Sequence, residues 1–64
     1  MFVNGQPVPI ESGRSLLDFL AGEGFDVQTV AVEHNGVIVP KATHASVILA
    51  DADTLEIVSF VGGG

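Results

Sequence analysis

The order of hydrophobic patterns predicts an α+β fold: one main helix packed on one face of a mixed sheet of about five short strands. Three observations carry that prediction. Strand-like segments stand in pairs on either side of a single helical stripe, an Asn35-Gly36 dipeptide closes the second pair, and a final β-rich run ends the apolar pattern.

Phe2-Val3-Asn4, a turn at Gly5-Gln6 and then Pro7-Val8-Pro9-Ile10 read as a first hairpin. Its second strand is confined to an edge, because proline cannot donate to a ladder. Ser12-Gly13-Arg14 connects to a helix whose N-cap is Ser15, with Asp18 three residues on in a near capping box. Leu16, Phe19 and Leu20 recur at i, i+3 and i+4 and mark the buried face, flanked by Leu17 and Ala21. Gly22 and Gly24 end this short helix. Thr29 to Glu33 is rich in β-branched residues and reads as a strand. Asn35-Gly36 supplies the two positive φ angles of a type I′ turn, and Val37-Ile38-Val39 returns until Pro40 stops it. Residues 41–50 read as irregular, with one helical turn around Thr43 to Ala45. A polar turn, Asp51 to Thr54, precedes the last strand, Leu55 to Phe60. The expected organisation is a domain over residues 1–61 and a glycine tail over 62–64.

Composition narrows the function. A chain of 64 residues without cysteine has no disulfide, thiolate zinc site or iron–sulfur cluster to rely on, so it folds on its apolar residues. No apolar stretch reaches the ~18–20 residues of a membrane span, and no basic-then-apolar leader stands at the start. A soluble, cytoplasmic protein, monomeric alone, is expected. Eight acids face only Arg14 and Lys41, for a formal net charge of −6, which argues against a phosphate-backbone partner. The same charge suits steering toward a basic protein surface.

The candidate site is the end of the chain. Val61 leads into Gly62-Gly63-Gly64, a run without Cβ atoms that reaches ~13–14 Å when extended, enough to enter a partner's cleft. Alternation along the last strand puts Leu55 and Ile57 toward the helix and Val58 and Phe60 on the other face. Val58, Phe60 and the adjoining Val61 are therefore the expected docking residues. Other constellations are weaker. Glu33, His34 and His44 fall short of a convincing metal set without a thiolate, and the histidines suit surface or hydrogen-bonding roles. Asp51 and Asp53 lack the rest of a calcium loop and read as a capped turn. Arg14 and Lys41 read as solvated stems or partners of local acids.

Together, Asn4 after the first strand, Gly13-Arg14-Ser15, the segment Asn35-Gly36-Val37-Ile38-Val39-Pro40-Lys41, Asp51-x-Asp53 and the glycine end resemble the ThiS family of thiamine-pathway sulfur carriers. That resemblance implies the ubiquitin-like β-grasp fold. Two departures stand out: His44 where an aromatic is expected, and Gly62 extending a diglycine end to three. The resemblance further implies that an E1-like adenylating enzyme of the ThiF type uses ATP to activate the Gly64 carboxylate. A sulfur donor then makes the thiocarboxylate, which delivers sulfur to a thiazole synthase of the ThiG type. Gly62, Gly63 and Gly64 would thread into the partner, and no catalytic residue, metal or bound cofactor is expected in the chain itself. It would be a protein substrate, not an enzyme. The alternatives are the small subunit of a molybdopterin-synthase-like enzyme, a β-grasp interaction module with an inert tail, and a conjugated protein modifier.

Overall fold

The computed structural model describes residues 1–60; Val61, Gly62, Gly63 and Gly64 lie outside the described residues. The chain runs β1 (Phe2–Val3), β2 (Gln6–Pro7), α1 (Leu16–Gly22), β3 (Val30–His34), β4 (Val37–Ile38), a 3-10 turn (Lys41–Thr43) and β5 (Thr54–Ser59). The five strands form one sheet in the order β2-β1-β5-β3-β4. β5 runs parallel to β1 and antiparallel to β3, so the last strand occupies the centre of a mixed sheet. This is the α+β architecture that the alternation of patterns predicts.

Leu16, Phe19 and Leu20 of α1 are buried, and they pack on Val3, Val30, Val32, Leu55 and Ile57 from the inner face of the sheet. The helix starts as its sequence dictates, with the Ser15 hydroxyl accepting from the Asp18 amide at 3.1 Å. Its end differs from expectation at one residue. Gly22 is the last helical residue, and the chain leaves at Gly24, φ +84°, in a Schellman arrangement. The Phe25 amide reaches the Leu20 carbonyl at 3.0 Å and the Gly24 amide reaches Ala21 at 3.2 Å.

The first hairpin turns one residue earlier than expected. Asn4 (φ 51°) and Gly5 (φ 81°) form the turn, with Val3 opposite Gln6, so β2 is Gln6–Pro7 and not residues 7–10. Val8 and Ile10 are half-buried and pack against the core from irregular chain. Asn35 (φ 50°) and Gly36 (φ 85°) repeat the same turn between β3 and β4. β3 and β5 are each displaced by one residue from the expected bounds. The helical turn after Pro40 also comes earlier than expected, at Lys41–Thr43, because Pro40 begins it: its carbonyl accepts from the Thr43 amide at 2.9 Å.

The 47–49 segment is more ordered than its composition suggests. The Leu16 amide reaches the Val47 carbonyl at 2.8 Å and the Leu49 amide reaches Arg14 at 2.9 Å, an antiparallel bridge centred on Ser15 and Ile48. That pairing carries Leu49 into the core. His44 is buried too, at 3% exposure, with its ring Nε2 3.4 Å from the Val39 carbonyl. The surface alternative for this histidine is thereby corrected to internal hydrogen bonding. Arg14 is partly exposed and Lys41 exposed, as solvated stems are, and among the described residues neither forms an ion pair with an acid. Both donate to backbone carbonyls, Arg14 to Asp18 at 3.1 Å and Lys41 to Gln28. The Arg14 guanidinium also lies 5.6 Å from the centre of the Phe19 ring and against Gly22, which has no Cβ to exclude it.

Candidate functional site: the outer sheet face and the end of β5

Because side chains alternate along a strand, burying Leu55 and Ile57 turns Thr54, Glu56 and Val58 to the face away from the helix. Val58 is 56% exposed and Phe60 62% exposed, as the alternation requires. The Phe60 amide donates to the Thr29 carbonyl at 2.7 Å, tying the last described residue to the chain entering β3. The described chain thus ends at the margin of an exposed apolar face.

The pairing of β5 with β3 and β4 adds residues that reading one strand at a time does not find. Ala31 stands opposite Val58, Glu33 opposite Glu56, and Ile38 of β4 opposite Glu33. With Val58 and Phe60 they line a shallow, mostly apolar groove of about 140 Å³ on the outer face. Ile38 is 65% exposed, and Phe2 lies exposed on the same face at β1, beside Thr54. Local signals that mark a strand carry no register, and register is what gathers these side chains.

The opposite end of β5 is stitched by polar side chains. Asn4 flanks β5 on one side, accepting from the Ile57 amide at 2.7 Å and donating to the Ile57 carbonyl at 3.1 Å. Asn35 flanks it on the other, accepting from the Thr54 amide at 2.9 Å. Asp53 joins three elements: its carboxylate accepts from the His34 ring at 2.8 Å, from the Ala50 amide at 2.8 Å and from the Asn35 side-chain amide at 3.1 Å. The His34 hydrogen bond, helped by the Ala50 and Asn35 donors and opposed by partial burial, lowers the Asp53 pKa from 3.8 to about 2. This is the capped turn that the Asp51-x-Asp53 spacing suggests.

His34 is thus engaged with Asp53, and His44 lies within the core. Among the described residues, no three histidine, aspartate or glutamate side chains converge as a metal site. No helix among them is long and apolar enough to cross a membrane. The described face is exposed and apolar, and the glycine run begins two residues after Phe60 in the sequence.

The ThiS family model matches residues 1–64. The chain is 38% identical over 63 residues to the sulfur carrier protein ThiS of Bacillus subtilis, covering 97% of this chain and 96% of that protein. It is 42% identical over 62 residues to a thiazole synthase of Magnetococcus marinus, covering 97% of this chain but 19% of the synthase. The chain therefore spans about one-fifth of the length of that relative. Among solved structures, the crystal structure of the thiamine biosynthesis protein ThiS from Geobacter metallireducens superposes with a TM-score of 0.82. Sequence identity there is 26%, with 98% of this chain and 96% of that chain covered.

Proposed function

This chain belongs to the ThiS family, and from that premise we propose that it carries sulfur for thiazole formation in thiamine biosynthesis, with the Gly64 carboxylate as the reacting group. The observation that carries this reading is the placement of the glycine run just beyond the end of β5, where Val58 and Phe60 are exposed on an apolar face. Similarity to a sulfur carrier over nearly its full length supports the same reading.

The chemistry explains the division of labour. A carboxylate is a poor electrophile because its negative charge repels a nucleophile and oxide is a poor leaving group. Attack of a Gly64 oxygen on the α-phosphorus of ATP expels pyrophosphate and leaves an acyl-adenylate. A sulfur nucleophile then attacks the carbonyl and AMP departs, leaving a thiocarboxylate. An E1-like enzyme of the ThiF type supplies the nucleotide site for these steps, and a thiazole synthase of the ThiG type takes the sulfur. The carrier contributes a docking face at Val58, Phe60 and Val61 and a tail, Gly62, Gly63 and Gly64, narrow enough to enter both partners. It works in the cytoplasm as a protein substrate and holds no cofactor of its own.

Presenting the thiocarboxylate form to a thiazole synthase, and in parallel to the large subunit of a molybdopterin synthase, tests the assignment. Sulfur release to the thiazole synthase alone is the expected result. Release to the molybdopterin enzyme alone would replace this reading with the alternative.

A further inference from the structure

The outer face combines apolar groups with a charge arrangement that the fold itself does not explain. Glu33 and Glu56 stand directly opposite each other on adjacent antiparallel strands. The ladder bonds at Asn35–Thr54 and Thr29–Phe60 place this pair, two residues from the first, at a hydrogen-bonded position of the sheet. Such positions hold their Cα atoms about 5.5 Å apart, and like charges so placed destabilise a sheet. Neither glutamate belongs to an ion pair among the described residues, where the pairs are His34–Asp53 and the Met1 ammonium with Asp51. The chain's two basic side chains, Arg14 and Lys41, are engaged with backbone carbonyls elsewhere. The paired carboxylates sit amid Ala31, Ile38, Val58 and Phe60, so a partner closing over the groove removes water from them.

We propose that the groove docks the activating enzyme through an arginine whose guanidinium seats between Glu33 and Glu56, with apolar side chains around it meeting Val58, Phe60 and Ile38. This inference rests on the docking reading above and adds the chemistry of the partner. Arginine fits better than lysine because its planar fork of donors bridges two carboxylates held a strand spacing apart. A second copy of the chain does not fit this face, since stacking it on itself would bring four carboxylates together on chains each of net charge −6. The repulsion that the free carrier tolerates becomes attraction once the cation arrives, which makes the pair a selective mark for one kind of surface.

The test titrates a purified ThiF-type enzyme with the full chain and with three double variants, at low and at raised salt. Glu33→Gln/Glu56→Gln is expected to bind about tenfold more weakly at low salt and to lose much of the salt dependence. Its melting temperature should equal or exceed that of the parent, because the repulsion is gone. Glu11→Gln/Glu23→Gln, which removes two exposed acids elsewhere, should bind nearly as the parent does. Val58→Ala/Phe60→Ala reports on the docking face itself and should also bind weakly. Unchanged binding of the Glu33/Glu56 variant beside weakened binding of the Val58/Phe60 variant would overturn the guanidinium seat and leave docking intact. Unchanged binding of both would remove the docking reading as well. Equal weakening by the Glu11/Glu23 variant, or a lower melting temperature for Glu33/Glu56, would also overturn the proposal. The first would reduce it to long-range attraction, the second to a structural role.

Discussion

Replacing Asp53 by asparagine removes one charge from the junction that holds the start of β5, and the cost can be worked from the geometry. The Asp53 side chain is 13% exposed and accepts from His34, Ala50 and Asn35. Those donors favour the ionised form and bring its pKa from 3.8 to about 2. A tenfold change in proton affinity is worth about 1.4 kcal/mol, so ionised Asp53 contributes about 2 kcal/mol to folding. The sign follows from the folded carboxylate holding its proton less tightly than the unfolded one. The contribution is complete above the ordinary carboxylate range, fades as pH falls below about 4, and is lost on passing through about 2. A 64-residue domain has roughly 3–10 kcal/mol in total, so Asp53→Asn should lower the melting temperature by about 10 °C near neutral pH. With no tryptophan or tyrosine in the chain, far-UV circular dichroism is the suitable probe. Urea melts of parent and variant at a series of pH values should show the gap closing toward pH 2. A gap that stays constant with pH, or one below about 0.5 kcal/mol at pH 6, would refute the reasoning, because an ionised acceptor must produce a pH-dependent difference.

Two further substitutions probe other parts of the fold. Leu20→Ala opens a cavity beneath a fully buried side chain and should cost ~2–5 kcal/mol in chemical denaturation, enough to unfold much of the population. Cooperative melting near the parent temperature would place Leu20 outside the core. Asn4→Ala removes both side-chain hydrogen bonds to Ile57 and puts a residue poorly suited to φ 51° into the turn. A loss of about 1–3 kcal/mol is expected, with faster hydrogen exchange at the Ile57 amide relative to Val32. Unchanged exchange there would show that Asn4 does not hold β5.

The parts of the structure legible in the sequence are those decided within a few residues. Ser15 with Asp18 marks a helix start because the cap bond closes locally, and Leu16, Phe19 and Leu20 mark its buried side because a helix has one period. Asn35-Gly36 marks a hairpin because few other dipeptides accept two positive φ angles. Asn4-Gly5 carries the same signal, yet the β-branched run beyond it draws the expected strand to residues 7–10. The structure pairs Pro7 with Phe2, and beyond Pro7 the Val8 amide reaches the Met1 carbonyl at 2.8 Å. The burial of Leu49 and His44 depends on residues 47–49 pairing with the lead into α1, a contact between segments more than thirty residues apart that local pattern does not encode. At the candidate site, alternation alone finds Val58 and Phe60. Ala31, Ile38 and the opposed Glu33 and Glu56 require the register of three strands.

The central claim is that the carrier's chemistry happens at Gly64, and intact mass spectrometry tests it most directly. The chain and a variant lacking Gly63 and Gly64 are each incubated with ATP, an active ThiF-type enzyme and a sulfur donor. The account predicts an AMP adduct, followed by replacement of one oxygen by sulfur, in the chain that ends at Gly64 and in neither product of the shortened one. An unchanged mass for the full chain, while the same enzyme adenylates its own carrier, would contradict it.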